Sequence, residues 1–381
     1  MTSIEERLRD AIRATAATVD EHKHRPPPVI TDRRSRAWLT PVAVAVAVVT
    51  AITGASAIAR RYVAAGPATG SGMPRFLVTT DTESSPGHLS RLLVEDTATG
   101  RVSDVRTMPM PVSFRYVAAG PDQTFYVLTE ATGGNDCAID TFQLKVSAVG
   151  RIIRFAKLSG GDIPHVTVTP IGGIAISPDG HRIAYAYRAC SSERGTPGIG
   201  VLDIRSGTWQ RWRDGGSAGI SSLSWTADGR YLAYLFRDSA DGQNDGPPVN
   251  GTAQMRLLDT KGAHRVLPAG AVLLRESKRL PYIWGALVSP DGKRIIVAAQ
   301  DRPVTSSAYD GVFSVQQVRV GDGSPVGPLY RSRLGPAGTN PVLAGDISGL
   351  HLLLCTDRMG WIDTRGFHRI PGDGPCNGLA W

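Results

Sequence analysis

Gly215-Gly216-Ser217-Ala218-Gly219 has the GxSxG form in which serine hydrolases present a nucleophile. That chemistry needs the serine on a sharp strand-to-helix elbow inside an α/β domain. Here the motif separates two strand-like stretches, so it reads as a linker of small residues. Asp238, Asp241 and Asp245 share a segment with Gly242, Asn244 and Gly246. A calcium loop sets its oxygens at alternate positions, and Asp238-Ser239-Ala240-Asp241-Gly242 does not follow that order. The segment, ending at Pro247 and Pro248, reads as a solvated hairpin loop. Among the eight histidines only His22 and His24 stand near one another, in a polar stretch where solvated side chains are the default. No catalytic constellation emerges, and neither enzymatic activity nor a metal or other cofactor is expected.

The cysteines are more informative. Cys137, Cys190, Cys355 and Cys376 all follow a long apolar segment, none precedes it, and no pair has CxxC spacing. Zinc or a redox dithiol therefore has little support. Two disulfides in an oxidising compartment are the simpler reading, with four buried thiols as the alternative.

What must position these residues is a repeat. Ile176-Ser177-Pro178-Asp179-Gly180 and the strand after it return at Ser224-Trp225-Thr226-Ala227-Asp228-Gly229 and at Val288-Ser289-Pro290-Asp291-Gly292. Weaker copies surround Asp122 and Ser348. Pro fixes φ at the first central position while Asp and Gly tolerate the conformations that the next two positions of a tight turn require, so each copy is a hairpin. A second hairpin, an apolar strand and a polar turn closing on Gly, occurs at Gly100, Gly150, Gly207, Gly262, Gly323 and Gly366. Two hairpins per unit of about fifty residues make a four-stranded propeller blade.

Six second hairpins but five first ones leave blade one without an inner strand. The terminal Asn377-Gly378-Leu379-Ala380-Trp381 matches the inner-strand pattern Ile220 to Trp225 and is expected to supply it. The fold class is thus all-β, a six-bladed propeller closed by the C-terminal strand. With successive strands antiparallel, this register pairs Cys137 with Cys190 and Cys355 with Cys376.

The repeats resemble the TolB-like, WD-repeat-like six-bladed β-propellers of bacterial envelope proteins over roughly residues 75–381. That resemblance implies a propeller serving as a binding platform, or as the gating domain of a prolyl-oligopeptidase-type enzyme. The N-terminal layout resembles actinobacterial membrane proteins that accompany extracytoplasmic-function sigma factors, and the scarcity of Lys beside Arg fits a high-GC genome.

Ahead of the propeller, Ala37 to Ala59 is free of charge for 23 residues, a span of roughly 34 Å as a helix and enough for a hydrocarbon core. Lys23, Arg25, Arg33, Arg34 and Arg36 precede it and Arg60 and Arg61 follow, which places the N-terminus in the cytoplasm. Ala55-Ser56-Ala57 leaves a cleaved signal peptide open as the alternative. Ser3 and Glu6 form a capping box at the head of an amphipathic helix to about Val19, resting on the membrane or docking a cytoplasmic partner. The organisation is then a cytoplasmic segment 1–36, a transmembrane helix 37–59, a linker 60–74 and an extracytoplasmic propeller 75–381.

The net charge of +8 does not signal nucleic acid. Residues 1–36 hold eight basic and six acidic side chains, Arg60 and Arg61 add two, and the rest of the chain holds 32 against 28 with no basic stripe. The function expected is a single-pass membrane protein presenting a propeller to a protein or small ligand. The alternatives are a signalling protein whose residues 1–36 contact a sigma factor or other regulator, and a propeller-based hydrolase or lyase.

Overall fold

A computed structural model of the chain describes residues 73–82, 89–109, 111–131, 137–168, 173–190, 196–213, 219–237, 252–262, 266–267, 270–301, 311–333, 342–346, 351–356, 358–363, 365–372 and 378–381. The N-terminal helix, the apolar segment Ala37–Ala59, Asp238, Asp241, Asp245 and Cys376 lie outside them. Among the described residues no helix is long and apolar enough to cross a membrane.

Six antiparallel sheets make six blades. Blade one takes β1 (Phe76–Thr82), β2 (Ser90–Asp96) and β3 (Val102–Met108). Blade two has β4 (Val112–Ala119), β5 (Thr124–Ala131), β6 (Ala138–Val146) and β7 (Ile152–Pro164). In blade three the inner strand comes in two pieces, β8 (Val166–Val168) and β9 (Ile174–Ile176), before β10 (Arg182–Ala189), β11 (Pro197–Asp203) and β12 (Trp209–Arg213). Blade four comprises β13 (Gly219–Trp225), β14 (Tyr231–Arg237), β15 (Ala253–Asp259) and β16 (Ala271–Arg275). Blade five comprises β17 (Tyr282–Val288), β18 (Arg294–Gln300), β19 (Val312–Arg319) and β20 (Pro325–Arg333). Blade six comprises β21 (Val342–Gly345), β22 (Leu352–Cys355), β23 (Met359–Asp363) and β24 (Gly366–Arg369).

The final strand, β25 (Gly378–Ala380), is the inner strand of blade one, with Leu379 opposite Thr79 and Ala380 opposite Val78. Pairing the two ends of the chain in one sheet removes the edge at which the ring would open. Trp381 continues that strand into a buried cluster with Leu77, Leu353 and Met359, sealing blade six to blade one.

Burial results from stacking the blades face to face. Second strands are covered on both sides, so β14 and β18 read as near-continuous apolar runs and are buried almost throughout. Outermost strands such as β3 and β20 stay largely exposed. The described core accordingly divides into six clusters, one at each junction between neighbouring blades.

The repeated Asp and Gly residues build the turns. Asp179 accepts the Ser177 hydroxyl and the His181 N–H, Asp291 accepts the Ser289 hydroxyl and the Lys293 N–H, and Asp228 accepts Thr226 Oγ1 and the Arg230 N–H. Gly180, Gly229 and Gly292 come next at φ of +71°, +62° and +66°, the left-handed region that favours glycine. Burial pushes the Asp179 and Asp291 carboxyls up, but these hydrogen bonds and the neighbouring cations outweigh it and leave both below the ordinary value. Asp122, in the weaker copy, behaves differently: it and Gln123 themselves take positive φ, and its backbone carbonyl receives Lys145.

Candidate binding face at the channel mouth

Antiparallel order puts the first-to-second and third-to-fourth turns of every blade on one face of the ring. These turns are stitched together, for example by Ile204 N–H to His181 O at 2.8 Å and Val320 N–H to Lys293 O at 3.0 Å. Only four or five residues separate inner from second strands in blades two to five. The opposite face carries the second-to-third connections, which range from three residues in blade six to fifteen in blade four. Regular hydrogen-bonded turns give a uniform surface, whereas connections of unequal length and composition give a specific one.

Part-way along the inner strands, neighbouring blades meet closely. Gly173, Ser222 and Gly285 each stand six residues ahead of the turn aspartates Asp179, Asp228 and Asp291, and Tyr116 stands six ahead of Asp122. Here the strands approach one another closely. A Cβ on Gly285 would meet Ser222 Oγ at 3.2 Å and Leu343 Cβ at 3.7 Å, and one on Gly378 would meet the Arg115 carbonyl at 2.8 Å. At Gly285 and Gly378 there is little room for a Cβ, whereas Tyr116, at the equivalent position of blade two, packs against the cluster between blades two and three. At this level β4, β13 and β17 each carry a bulge, at Arg115, at Ser222 and Leu223, and at Trp284, a device that bends a strand and re-aims its side chains. Ser222 takes φ of +52°, a strained conformation for a residue with a side chain.

The bulged residues bring the polar chemistry. Arg115 Nε donates to Glu130 Oε2 at 2.6 Å, with the carboxylate buried and the guanidinium half-exposed. Trp284 Nε1 donates to the buried Gln300 Oε1 at 3.1 Å. A second buried pair, Arg237 and Glu276 at 3.4 Å, is spent on the frame: Glu276 accepts the N–H groups of Ala253 and Ile283, both at 2.9 Å, and fastens blade four to blade five. Burial pushes the Arg237 guanidinium down and Glu276 opposes it. Arg115, its charge already paired with Glu130, thus offers the remaining N–H groups of a half-exposed guanidinium, and Trp284 an indole for apolar or stacked contact.

Of the residues singled out in the sequence, Asp122, Asp179, Asp228 and Asp291 fall on the turn face as turn-builders. Gly219 is the only described member of the GxSxG segment, and it opens β13. Cys137 and Cys190 form a disulfide on the loop face, Cα to Cα 6.5 Å, joining the start of β6 to the end of β10. His165 sits between them, its N–H on the Cys137 carbonyl and its carbonyl receiving the Cys190 N–H. Cys355 is also disulfide-bonded. Among the described residues no group of three or more His, Cys, Asp and Glu could hold a metal.

Three groups that sequence reading passed over are resolved by geometry. Tyr185 and Tyr187 lie across Gly200 and Gly198 on the neighbouring strand, where any Cβ would meet a ring. Burial pushes both hydroxyls up, while Arg211 and Arg213 on β12 work against it. His351 pairs with Asp346 at 2.9 Å and packs edge-on to Trp381 at 5.8 Å. His368 pairs with Asp363 at 3.0 Å and stacks on Trp361 at 3.9 Å. Each His–Asp pair is packed against an indole.

No family model matches the chain, and no curated protein is found similar to it by sequence. Solved structures resemble it in fold. A protein of unknown function from Bacteroides caccae aligns at 11% identity and a TM-score of 0.44, covering 81% of this chain and 98% of that one. The acylaminoacyl peptidase of Pyrococcus horikoshii aligns at 14% identity and 0.42, covering 68% of this chain, which spans 39% of the peptidase. The β-propeller domain of the Trilobed protease from Pyrococcus furiosus aligns at 15% identity and 0.38, covering 68% of this chain and 72% of that domain.

Proposed function

We propose that this chain is a single-pass membrane protein of TolB-like type that presents its six-bladed propeller outside the cell membrane as a non-catalytic binding platform, with the occupant held at the loop-face mouth of the channel. The observation that carries this reading is the asymmetry of the two faces. One is uniform and internally hydrogen-bonded; the other combines unequal connections with inner-strand bulges, Ser222 in the left-handed region, and the Arg115 and Trp284 groups. Such features at a site cost stability and persist where recognition uses them. The Cys137–Cys190 bond supports an oxidising location, and the charge-free Ala37 to Ala59 segment, flanked by more basic residues before than after, supports the orientation.

Protease added to intact spheroplasts tests the topology. The propeller is attacked or released by cleavage near residues 60–74, while residues 1–36 remain protected. The reverse pattern contradicts the proposal, and mature protein lacking the N-terminal residues replaces the anchor with a cleaved signal peptide.

A further inference from the structure

We infer that the rim of blades one and two, beside the point where the chain enters the propeller, is a docking surface for an anionic phospholipid bilayer; the inference rests on the reading of Ala37 to Ala59 as a membrane span.

The seam between these blades is exposed and apolar. Among the described residues Val149, Ile153, Val102 and Val105 are 68%, 63%, 49% and 44% exposed, more than half of the large apolar side chains left open to solvent. They belong to one surface because blade one is bonded to blade two at this place. Ser103 Oγ donates to Gly150 O at 3.1 Å, Ile152 N–H donates to Asp104 Oδ2 at 2.9 Å, and Arg151 Nη1 donates to Ser103 O at 3.4 Å.

The same strands and the turns that lead into them are basic. Arg101, Arg106, Arg151 and Arg154 are all exposed. The neighbouring carboxylates are already bonded: Asp104 accepts the Val105 and Ile152 N–H groups, and Asp96 accepts those of Ala98 and Thr99 and pairs with Arg75. Apolar side chains interleaved with guanidinium groups are the composition that lies at a headgroup boundary, burying the former and meeting phosphate with the latter.

The chain arrives at this corner. Thr97 Oγ1 donates to the Pro74 carbonyl at 2.8 Å, and Arg75 Nη1 reaches the Ala148 carbonyl, next to Val149, at 3.4 Å. The tether from Ala59 to Met73 extends at most about 50 Å even when fully stretched. A surface fixed so near a bilayer meets it at high effective concentration, so modest apolar and electrostatic contacts suffice to seat it.

The full chain is placed in nanodiscs of phosphatidylcholine alone or with phosphatidylglycerol, and amide hydrogen exchange is followed by peptide. Exchange over Val102–Met108 and Ile152–Pro164 slows by about threefold or more in the anionic discs, and that over Ala271–Arg275 and Pro325–Arg333 on the far rim does not change. Val149→Asp with Ile153→Asp, both exposed and checked for unchanged melting, abolishes the difference. Insertion without any protection of the first two segments overturns the surface and leaves the span standing. Failure of the chain to remain in discs overturns the span instead. In that case flotation with phosphatidylglycerol vesicles decides: flotation lost in the double variant upholds the surface, and no flotation overturns it.

Discussion

Gly285 of blade five lies against the Ser222 hydroxyl of blade four, 3.2 Å from where its Cβ would stand. Gly285→Ala forces Ser222 to yield by a few tenths of an ångström, and Gly285→Val adds bulk the constriction has no room for, destabilising by about 1–3 kcal/mol. Ser222→Gly removes both the hydroxyl and the cost of a side chain at φ of +52°. Urea unfolding of the two singles and the double should show that Ser222→Gly recovers about 1 kcal/mol of the Gly285→Val loss, as residues in contact do.

Ring closure depends on the C-terminal strand. Removing Asn377 to Trp381 takes away the ladder of β25 and two side chains that are almost fully buried, Leu379 and Trp381. Apolar burial alone makes that roughly 5 kcal/mol, or a fall in Tm of about 10 °C or more in a domain this size. A truncated chain that melts with the full one would contradict the closure.

The Cys137–Cys190 bond closes a loop across 53 positions. The loop-entropy model gives about 4 kcal/mol for it, less any native strain. Replacing both cysteines by Ser should lower stability toward that amount, and non-reducing peptide mapping should recover the two peptides linked.

Glu95 gives the chain a pH dependence of definite sign. It is buried in blade one, and burial pushes its carboxyl above the ordinary 4.5 while the Thr79 hydroxyl, 2.7 Å away, partly opposes the shift. The fold therefore prefers the protonated form. Its contribution is fully present below 4.5 and is lost as pH rises through the raised value. Glu95→Gln should stabilise the domain at neutral pH, and the advantage should shrink as the pH falls through the raised value and be gone below 4.5. An advantage that is constant from acid to neutral pH would contradict this assignment.

The frame was legible because its turns have their own chemistry. Ser177-Pro178-Asp179-Gly180 encodes a hairpin locally, so its copies place the blades, and the orphaned first hairpin leads to the strand ending at Trp381. The Cys137–Cys190 link came from the same register. The constriction left a signal that was there to be found, a small residue six positions before each strong turn aspartate at Gly173, Ser222 and Gly285. The mouth left none. Arg115 meets Glu130 and Trp284 meets Gln300 because a bulge adds one residue to each inner strand, and a repeat pattern of period two does not announce where alternation slips. Val149, in the turn between β6 and β7, and Ile153, on β7, look ordinary until the outermost strands are seen to be uncovered.

The central claim, that the loop-face mouth holds the occupant, is tested most directly by site-specific photocrosslinking in native membranes. A benzophenone side chain at Tyr282 or at Trp284, on the inner strand of blade five, should yield a discrete crosslinked species. The same group at Arg205 or Lys293 on the turn face should yield none. Crosslinks confined to Arg205 and Lys293, or absent from Tyr282 and Trp284 in folded protein, would contradict the account.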